Sequence, residues 1–276
     1  MFSLVLTACG GSETPAPAPA PEGNNKDADV EDTETPAEGS VQSIKDKGQI
    51  VLGTAADYPP FEFHALIDGK DEIVGFDIEI AKYIADDLGV ELVIQDMEFD
   101  KLLGGLATGQ LDFVIAGMNP DPDRAANFSD IYYEANLAVL VTKDNTEIST
   151  IEDLDGKSLG VQIGTTQESV ARDTINGADV RALGTNSDII MNLKTNKIDA
   201  AIMETPVADS YASVNDDIMV VEGLVLNSGS DGVAVALKEG NDELTEAINE
   251  MLVDMKEQGL LEQWFVEANE LVSDSL

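Results

Sequence analysis

Cysteine occurs once in this 276-residue chain, at Cys9, and histidine and tryptophan once each, at His64 and Trp264. A single cysteine excludes an intrachain disulfide framework and a Cys-based metal site. One histidine in a body without cysteine makes a Cys–His or Ser–His nucleophile–base pair hard to assemble, and one Trp disfavours a glycan platform. Basic residues are scarce as well: 15 Lys and Arg stand against 54 Asp and Glu, a formal net charge of −39. Such a chain repels polyanions, so nucleic acid is excluded as a partner. Nothing approaches the ~18 consecutive apolar residues of a membrane-spanning helix. At ~100–200 residues per domain, the length allows one or two domains.

The short apolar run Met1-Phe2-Ser3-Leu4-Val5 leads into Leu6-Thr7-Ala8-Cys9 with no Lys or Arg before it. Residues 1–9 read as the end of a signal peptide closed by a lipobox. On that reading Cys9 is the lipidation site, its thiol takes a diacylglycerol, and the mature chain begins there; the plain alternative is a lone free thiol. Residues 10–40 hold Pro15-Ala-Pro-Ala-Pro-Ala-Pro21, eight acids, one Lys and almost no large apolar side chain. They cannot offset the entropy of ordering and are expected to be a disordered acidic Pro/Ala linker, a tether. That segment carries only −7 of the net charge, so the body is itself acidic. Folding is expected to start near Val41.

From there short apolar runs alternate with amphipathic segments. Gln49–Gly53 reads as a buried strand. Asp77 reads as the cap of a helix with Ile78, Ala81, Ala85 and Leu88 on one face and Gly89 as its stop. Strand Val90–Ile94, a helix over Lys101–Thr108 capped by Asp100, and strand Leu111–Ala116 complete a βαβαβ unit. A second unit runs through strand Ser158–Gln162, a helix from about Gln167, strand Val180–Leu183, helix Ser187–Thr195 and strand Ile198–Met203. The units share a diffuse repeat. Leu106-x-Thr108-x-x-Leu111-Asp112-x-x-Ile115 matches Leu193-x-Thr195-x-x-Ile198-Asp199-x-x-Ile202 at an offset of 87 residues, which predicts two similarly built halves. It also places Gly117 and Glu204 at equivalent points past a parallel strand, where open α/β sheets bind ligands. Strand Gly232–Leu237 and two helices from Asn241 close the chain.

Candidate ligand groups gather at these strand ends. In Ala116-Gly117-Met118-Asn119 and Arg124, glycine allows close approach, and Asn119 and Arg124 are donors suited to a carboxylate, which a guanidinium grips bidentately. Arg124 is one of three arginines; its bland reading is a surface partner of Asp121 or Asp123. Gly164-Thr165-Thr166 between strand and helix offers amides and a hydroxyl to an anion, although a threonine N-cap explains it equally well. Glu204 could hold an ammonium group or simply start a helix before Pro206. Tyr58, Phe61 and Phe99 offer an aromatic wall or ordinary core packing. A carboxylate site, an ammonium site and an apolar wall together describe a free amino acid.

Six stretches carry a family resemblance: Tyr58-Pro-Pro-Phe-Glu-Phe63, Val74-Gly-Phe-Asp-Ile-Glu-Ile-Ala81, Ala116-Gly-Met-Asn119 with Arg124, Phe128-Ser-Asp-x-Tyr-Tyr133, Asp153-Leu-Asp-Gly-Lys157 and Gly160-Val-Gln-x-Gly-Thr-Thr166. In this order they resemble the polar amino-acid-binding proteins of ABC importers, the bacterial extracellular solute-binding family 3. That family includes glutamine-, arginine-, histidine- and cystine-binding members, and the resemblance covers residues 45–270. It implies an α/β, two-lobed periplasmic-binding-protein-like fold of type II with two crossover hinge strands. Lobe one would comprise residues 41–134 plus 230–276 and lobe two residues 135–229, with hinges near Tyr132–Asn136 and Ser228–Gly232.

Carried over by position, the resemblance implies that Arg124 grips the α-carboxylate with Asn119 and the Thr166 amide. Thr165 and Ala116 lie in the same two ligand loops. Gly117 would offer its carbonyl, and Glu204 its carboxylate, to the α-ammonium, while Tyr58 and Phe99 flank the side chain. Ala55, Gln162 and Met203 fall where relatives read the side chain. Three departures stand out. Ala55 replaces an acid common in glutamine and basic-amino-acid binders, Gln162 replaces a frequent Lys, and Arg124 to Phe128 is about two residues shorter than usual. With no cation near the side-chain subsite, Glu or Asp is disfavoured as ligand, and a neutral polar or basic amino acid is expected. The resemblance further implies a monomer working with an ABC permease outside the cytoplasm, anchored to the membrane of a Gram-positive cell through Cys9. No metal, cofactor or catalytic residue is expected. An amino-acid dehydratase-like enzyme on the same fold and a sensory ligand-binding subunit are the alternatives.

Overall fold

The body begins where apolar periodicity begins, with Ser40 accepting the Ser43 amide as the cap of helix α1 (Val41–Lys47). A computed structural model describes residues 39–275; Cys9 and nearly all of the linker lie outside the described residues. The elements that follow are β1 (Gln49–Thr54), β2 (Asp57–Tyr58), β3 (Glu62–Ile67), β4 (Lys70–Val74), α2 (Phe76–Leu88), β5 (Glu91–Asp96), α3 (Phe99–Thr108), β6 (Phe113–Val114) and β7 (Ala126–Glu134). Next come β8 (Leu137–Thr142), β9 (Ser158–Gln162), α4 (Thr166–Thr174), β10 (Asp179–Leu183), α5 (Asn186–Lys194), β11 (Ala200–Glu204), α6 (Thr205–Val214) and β12 (Ile218–Leu226). Strand β13 (Gly232–Lys238) and helices α7 (Asp242–Glu257) and α8 (Leu260–Ser275) end the described chain.

Two five-stranded sheets share one plan. The first has the order β5-β1-β6-β13-β7 and the second β10-β9-β11-β8-β12. In each, three strands run parallel, and the fourth is antiparallel to both its neighbours. The chain crosses twice between them, from edge strand β7 into β8 and from edge strand β12 into β13. The two crossovers touch where the Ala135 amide donates to the Asp231 carbonyl at 3.3 Å. The fold is thus the two-lobed periplasmic-binding-protein-like architecture with two crossover strands.

The 87-residue repeat has a physical basis. Asp112 accepts the amide of Val51 at 2.9 Å, and Asp199, its equivalent, accepts the amide of Ser158 at 2.7 Å. Each carboxylate satisfies an amide near the start of the neighbouring parallel strand. Leu111 and Ile198 are equally matched: a Cβ on Gly53 would lie 2.3 Å from Leu111 Cδ1, and one on Gly160 would lie 2.4 Å from Ile198 Cδ1. In both halves a strand glycine makes room for the apolar side chain that follows the second helix.

One apolar cluster runs from Ile50, Leu52 and Phe113 through Tyr58 to Met203, Val207 and Tyr211, linking both sheets, whereas the opposite faces of the strands carry separate clusters around Leu102 and around Val139. Burying each such side chain contributes ~1.5–3 kcal/mol.

Several sequence expectations need correction. Asp77 is not the cap of α2: Gly75 holds that position without a side-chain bond, and Asp77 turns inward, fully buried. Asp100 likewise lies inside α3, whose cap position is Glu98. The strand read over Leu111–Ala116 shortens to Phe113–Val114 because the chain turns off into the glycine-containing loop that follows. His64 sits on β3, within a separate three-stranded sheet β2-β3-β4.

Candidate functional site

The ends of β1, β6, β9 and β11 converge between the two sheets, and side chains from both bridge the gap. Tyr58 follows β1, and its hydroxyl accepts the Glu204 amide at 3.3 Å and Gln167 Nε2 at 3.2 Å. Gln167 Nε2 also donates to Glu204 Oε2. Asn119 donates through Nδ2 to the Gly232 carbonyl at 3.0 Å and accepts the Thr166 hydroxyl on Oδ1 at 2.6 Å. Arg124 donates to the Asn119 carbonyl at 2.8 Å and the Gly164 carbonyl at 3.1 Å. Its guanidinium also lies over Phe99, 5.6 Å from the ring centroid, a cation–π distance.

Arg124 therefore reaches into the gap rather than pairing at the surface: among the described residues, no ion pair joins it to Asp121 or Asp123. Burial lowers its pKa below the ordinary value, with the charge of Asp121 opposing. Thr165 does cap α4, accepting the Glu168 amide at 3.3 Å, and its hydroxyl donates to the Gln162 carbonyl at 2.7 Å. Capping frees Thr166 to point across the gap. Gln162 is buried and donates to the Gly184 carbonyl at 3.3 Å. Ala116 and Met203 have their side chains in the apolar clusters.

Gly117 and Glu204 occupy the equivalent strand ends with opposite chemistry. Gly117 has φ +52°, and a Cβ there would stand 2.8 Å from the Tyr58 ring, so only glycine lets the ring cover this turn. Glu204 is fully buried, its Oε1 without a partner among the described residues, and desolvation raises its pKa to about 8. A buried carboxyl held near neutrality is suited to accept a cation.

Beside these groups lies a pocket of about 280 Å³, where Asp57, His64, Asp96, Glu98 and Phe99 face Gln162 and Thr185. Among the described residues, no Lys or Arg lines it. Asp57 crosses the gap to the start of α5, accepting the Asn186 amide at 2.6 Å and the Ser187 amide at 3.4 Å, a favourable place for an anion. Burial raises its pKa, and the bonds from Asn186 and Ser187 oppose the rise. His64 is held between Asp71 (3.0 Å) and Asp96 (3.3 Å); burial lowers its pKa, but these bonds outweigh it and the net shift is upward. Sequence reasoning missed Asp57, Asp96, Glu98 and Gln167. Gln167 stands two residues after the capping Thr165, and its place in the first turn of α4 was the available signal. The three acids gave none, since acids are everywhere in this chain.

The model of the bacterial extracellular solute-binding proteins, family 3, matches residues 50–267. The chain belongs to that family. It is 38% identical over 240 residues to the arginine-binding extracellular protein ArtP of Bacillus subtilis (strain 168), covering 82% of this chain and 91% of the relative. It is 32% identical over 235 residues to the L-cystine-binding protein TcyJ of Escherichia coli (strain K12), covering 83% and 86%. Among solved structures, the amino acid ABC transporter substrate-binding protein AbpA of Streptococcus pneumoniae Canada MDR_19A, bound to L-arginine, superposes with TM-score 0.80. It is 35% identical and covers 84% of this family member and 98% of its own chain. The ancestral amino-acid-binding protein AncCDT-1, a precursor of cyclohexadienyl dehydratase, superposes with TM-score 0.73 at 33% identity, covering 82% and 99%.

Proposed function

We propose that this family member captures a free amino acid with a cationic side chain, arginine above all, and delivers it to an ABC importer. The observation that carries the side-chain assignment is the pocket lined by Asp57, Asp96 and Glu98 without a Lys or Arg. A second carboxylate there would be desolvated unpaired, whereas a guanidinium would meet carboxylates and the Phe99 ring. The arginine- and cystine-binding relatives support an amino acid as the ligand class. Arg124 takes the α-carboxylate with Asn119 and the Thr166 amide, and the Gly117 carbonyl and Glu204 take the α-ammonium. Tyr58 and Phe99 flank the side chain.

The bodies that move are residues 41–134 with 230–276 and residues 135–229, turning about the crossovers near Ala135 and Asp231. Ligand favours their approach because only then do Arg124 and Glu204 act on one molecule. Cys9 carries the lipid that keeps the protein outside the cytoplasm at the cell membrane; a Cys9→Ala chain released into the medium supports this, and one that stays membrane-bound contradicts it. The protein acts as a binder. The relationship to AncCDT-1 favours one rival, a dehydratase using Glu204 as an acid, and product formation from prephenate or arogenate would establish it.

Calorimetric titration with arginine, lysine, glutamine and glutamate tests the assignment. Arginine is expected to bind most tightly and glutamate least; tighter binding of glutamate would overturn it.

A further inference from the structure

Two buried acids lie behind the site and are used by none of the steps above. Glu62 opens β3 and Asp77 stands in the first turn of α2; both are fully buried. Asp77 Oδ2 accepts the Gly117 amide at 2.9 Å and the Tyr132 hydroxyl at 2.9 Å. Its Oδ1 and both oxygens of Glu62 have no donor among the described residues. The Asp77 amide donates to the Phe61 carbonyl at 2.8 Å, which seats Asp77 beside Glu62, and among the described residues no cation offsets the pair; the further charged groups acting on Glu62 are Asp57 and Asp96, both acids.

Two adjoining carboxylates with three undonated oxygens cannot both be ionised in a low-dielectric interior. A single proton resolves the conflict, because a Glu62 hydroxyl can donate to Asp77 Oδ1. The charge belongs on Asp77, which has the N-terminus of α2, the Gly117 amide and the Tyr132 hydroxyl to stabilise it. Glu62 has none of these.

We propose that Glu62 and Asp77 share one proton, held on Glu62, and that the pair is a positioning device which ties the Gly117 turn to the first crossover strand through Tyr132. The direction of the pKa shifts agrees. Desolvation first and the Asp77 charge second push Glu62 well up, and desolvation raises Asp77 only to about 6 against its three donors. The pair then sets the direction of the Gly117 carbonyl from behind while the ligand meets it from the front. That last step rests on the proposed reading of Gly117 as an ammonium acceptor; the proton itself does not.

Infrared spectroscopy of the full chain without ligand reads the proton. At pH 7 the carbonyl stretch of a protonated carboxylic acid is expected in a Glu204→Gln chain. It should shift when glutamate is labelled with carbon-13 and disappear on Glu62→Gln. Should Glu62→Gln fail to fold, the labelled Glu204→Gln chain still decides: absence of an isotope-shifted acid band overturns the proposal. Titration with arginine reads the positioning. Glu62→Gln keeps a donor for Asp77 and is expected to bind about tenfold more tightly than Glu62→Leu, the equivalent of ~1.4 kcal/mol. Equal affinities overturn the positioning role. If no variant and no parent chain binds arginine, the ligand assignment has failed and the infrared result stands by itself.

Discussion

The two halves of the body set a buried acid against the same point of the same plan, but from different elements. In the first half the strand end is Gly117, and the acid, Asp77, stands behind the backbone and bonds its amide. In the second half the strand end is itself the acid, Glu204, with its carboxylate toward the gap. On the proposed reading, one plan thus presents an ammonium group with a neutral carbonyl from one side and a charge from the other. A single cation then meets one full negative charge, not two.

The largest expected effect breaks the second half alone. Glu204→Gln should weaken arginine binding by ~2–5 kcal/mol, the range for truncating one partner of a buried charge pair, while leaving thermal stability at pH 7 unchanged or higher. Isothermal titration and thermal melting on the same sample separate the two. Asp77→Asn should show the reverse order, with a stability loss of ~1.5–3 kcal/mol from charge-assisted bonds to Gly117 and Tyr132, measurable by urea unfolding. Should Asp77→Asn weaken binding without loss of stability, the distinction between front and back acids fails.

Next comes pH. Folded Glu204 holds its proton to about 8, whereas its ordinary value is 4.5, and Asp77 holds its own to about 6 against 3.8. Between those limits the folded chain binds more protons than the unfolded one, so stability falls as pH rises, by up to ~1.4 kcal/mol per pH unit for each group. Below the ordinary values the contribution is full and constant. Melting temperatures between pH 4.5 and 8 should therefore decline, less steeply in Glu204→Gln. The same proton couples to ligand: an ammonium lowers the pKa of Glu204, so binding near pH 7 should release a proton and tighten as pH rises toward 8. Titration in buffers of different ionisation enthalpy counts that proton.

The smallest effect concerns the bridges between halves. Thr166→Val removes the bond to Asn119 and should cost ~0.5–1.5 kcal/mol of ligand affinity.

Local rules made much of this legible. Strands β1 and β9, the helix stops and the 87-residue repeat follow from apolar period and glycine placement, which act within a few residues. Asp77 and Asp100 misled because an acid before an apolar run looks like a cap, and only the long-range bond to Gly117 reveals the inward turn of Asp77. The sheet of β2, β3 and β4 carries a plain local signal. Asp68-Gly69, both with positive φ, forms the tight turn expected between paired strands, and Phe63 pairs with Val74 across it. Asp57, Asp96 and Glu98 were not legible, because three acids among 54 become a subsite only through folding.

The most direct test of a two-sided amino-acid clamp is a thermal-shift series of the body with arginine added at rising concentration. The melting temperature is expected to climb with the logarithm of arginine once it exceeds the dissociation constant, and the climb should vanish in both Arg124→Ala and Glu204→Gln. An unchanged melting temperature for arginine and every other amino acid at millimolar concentration would contradict the account.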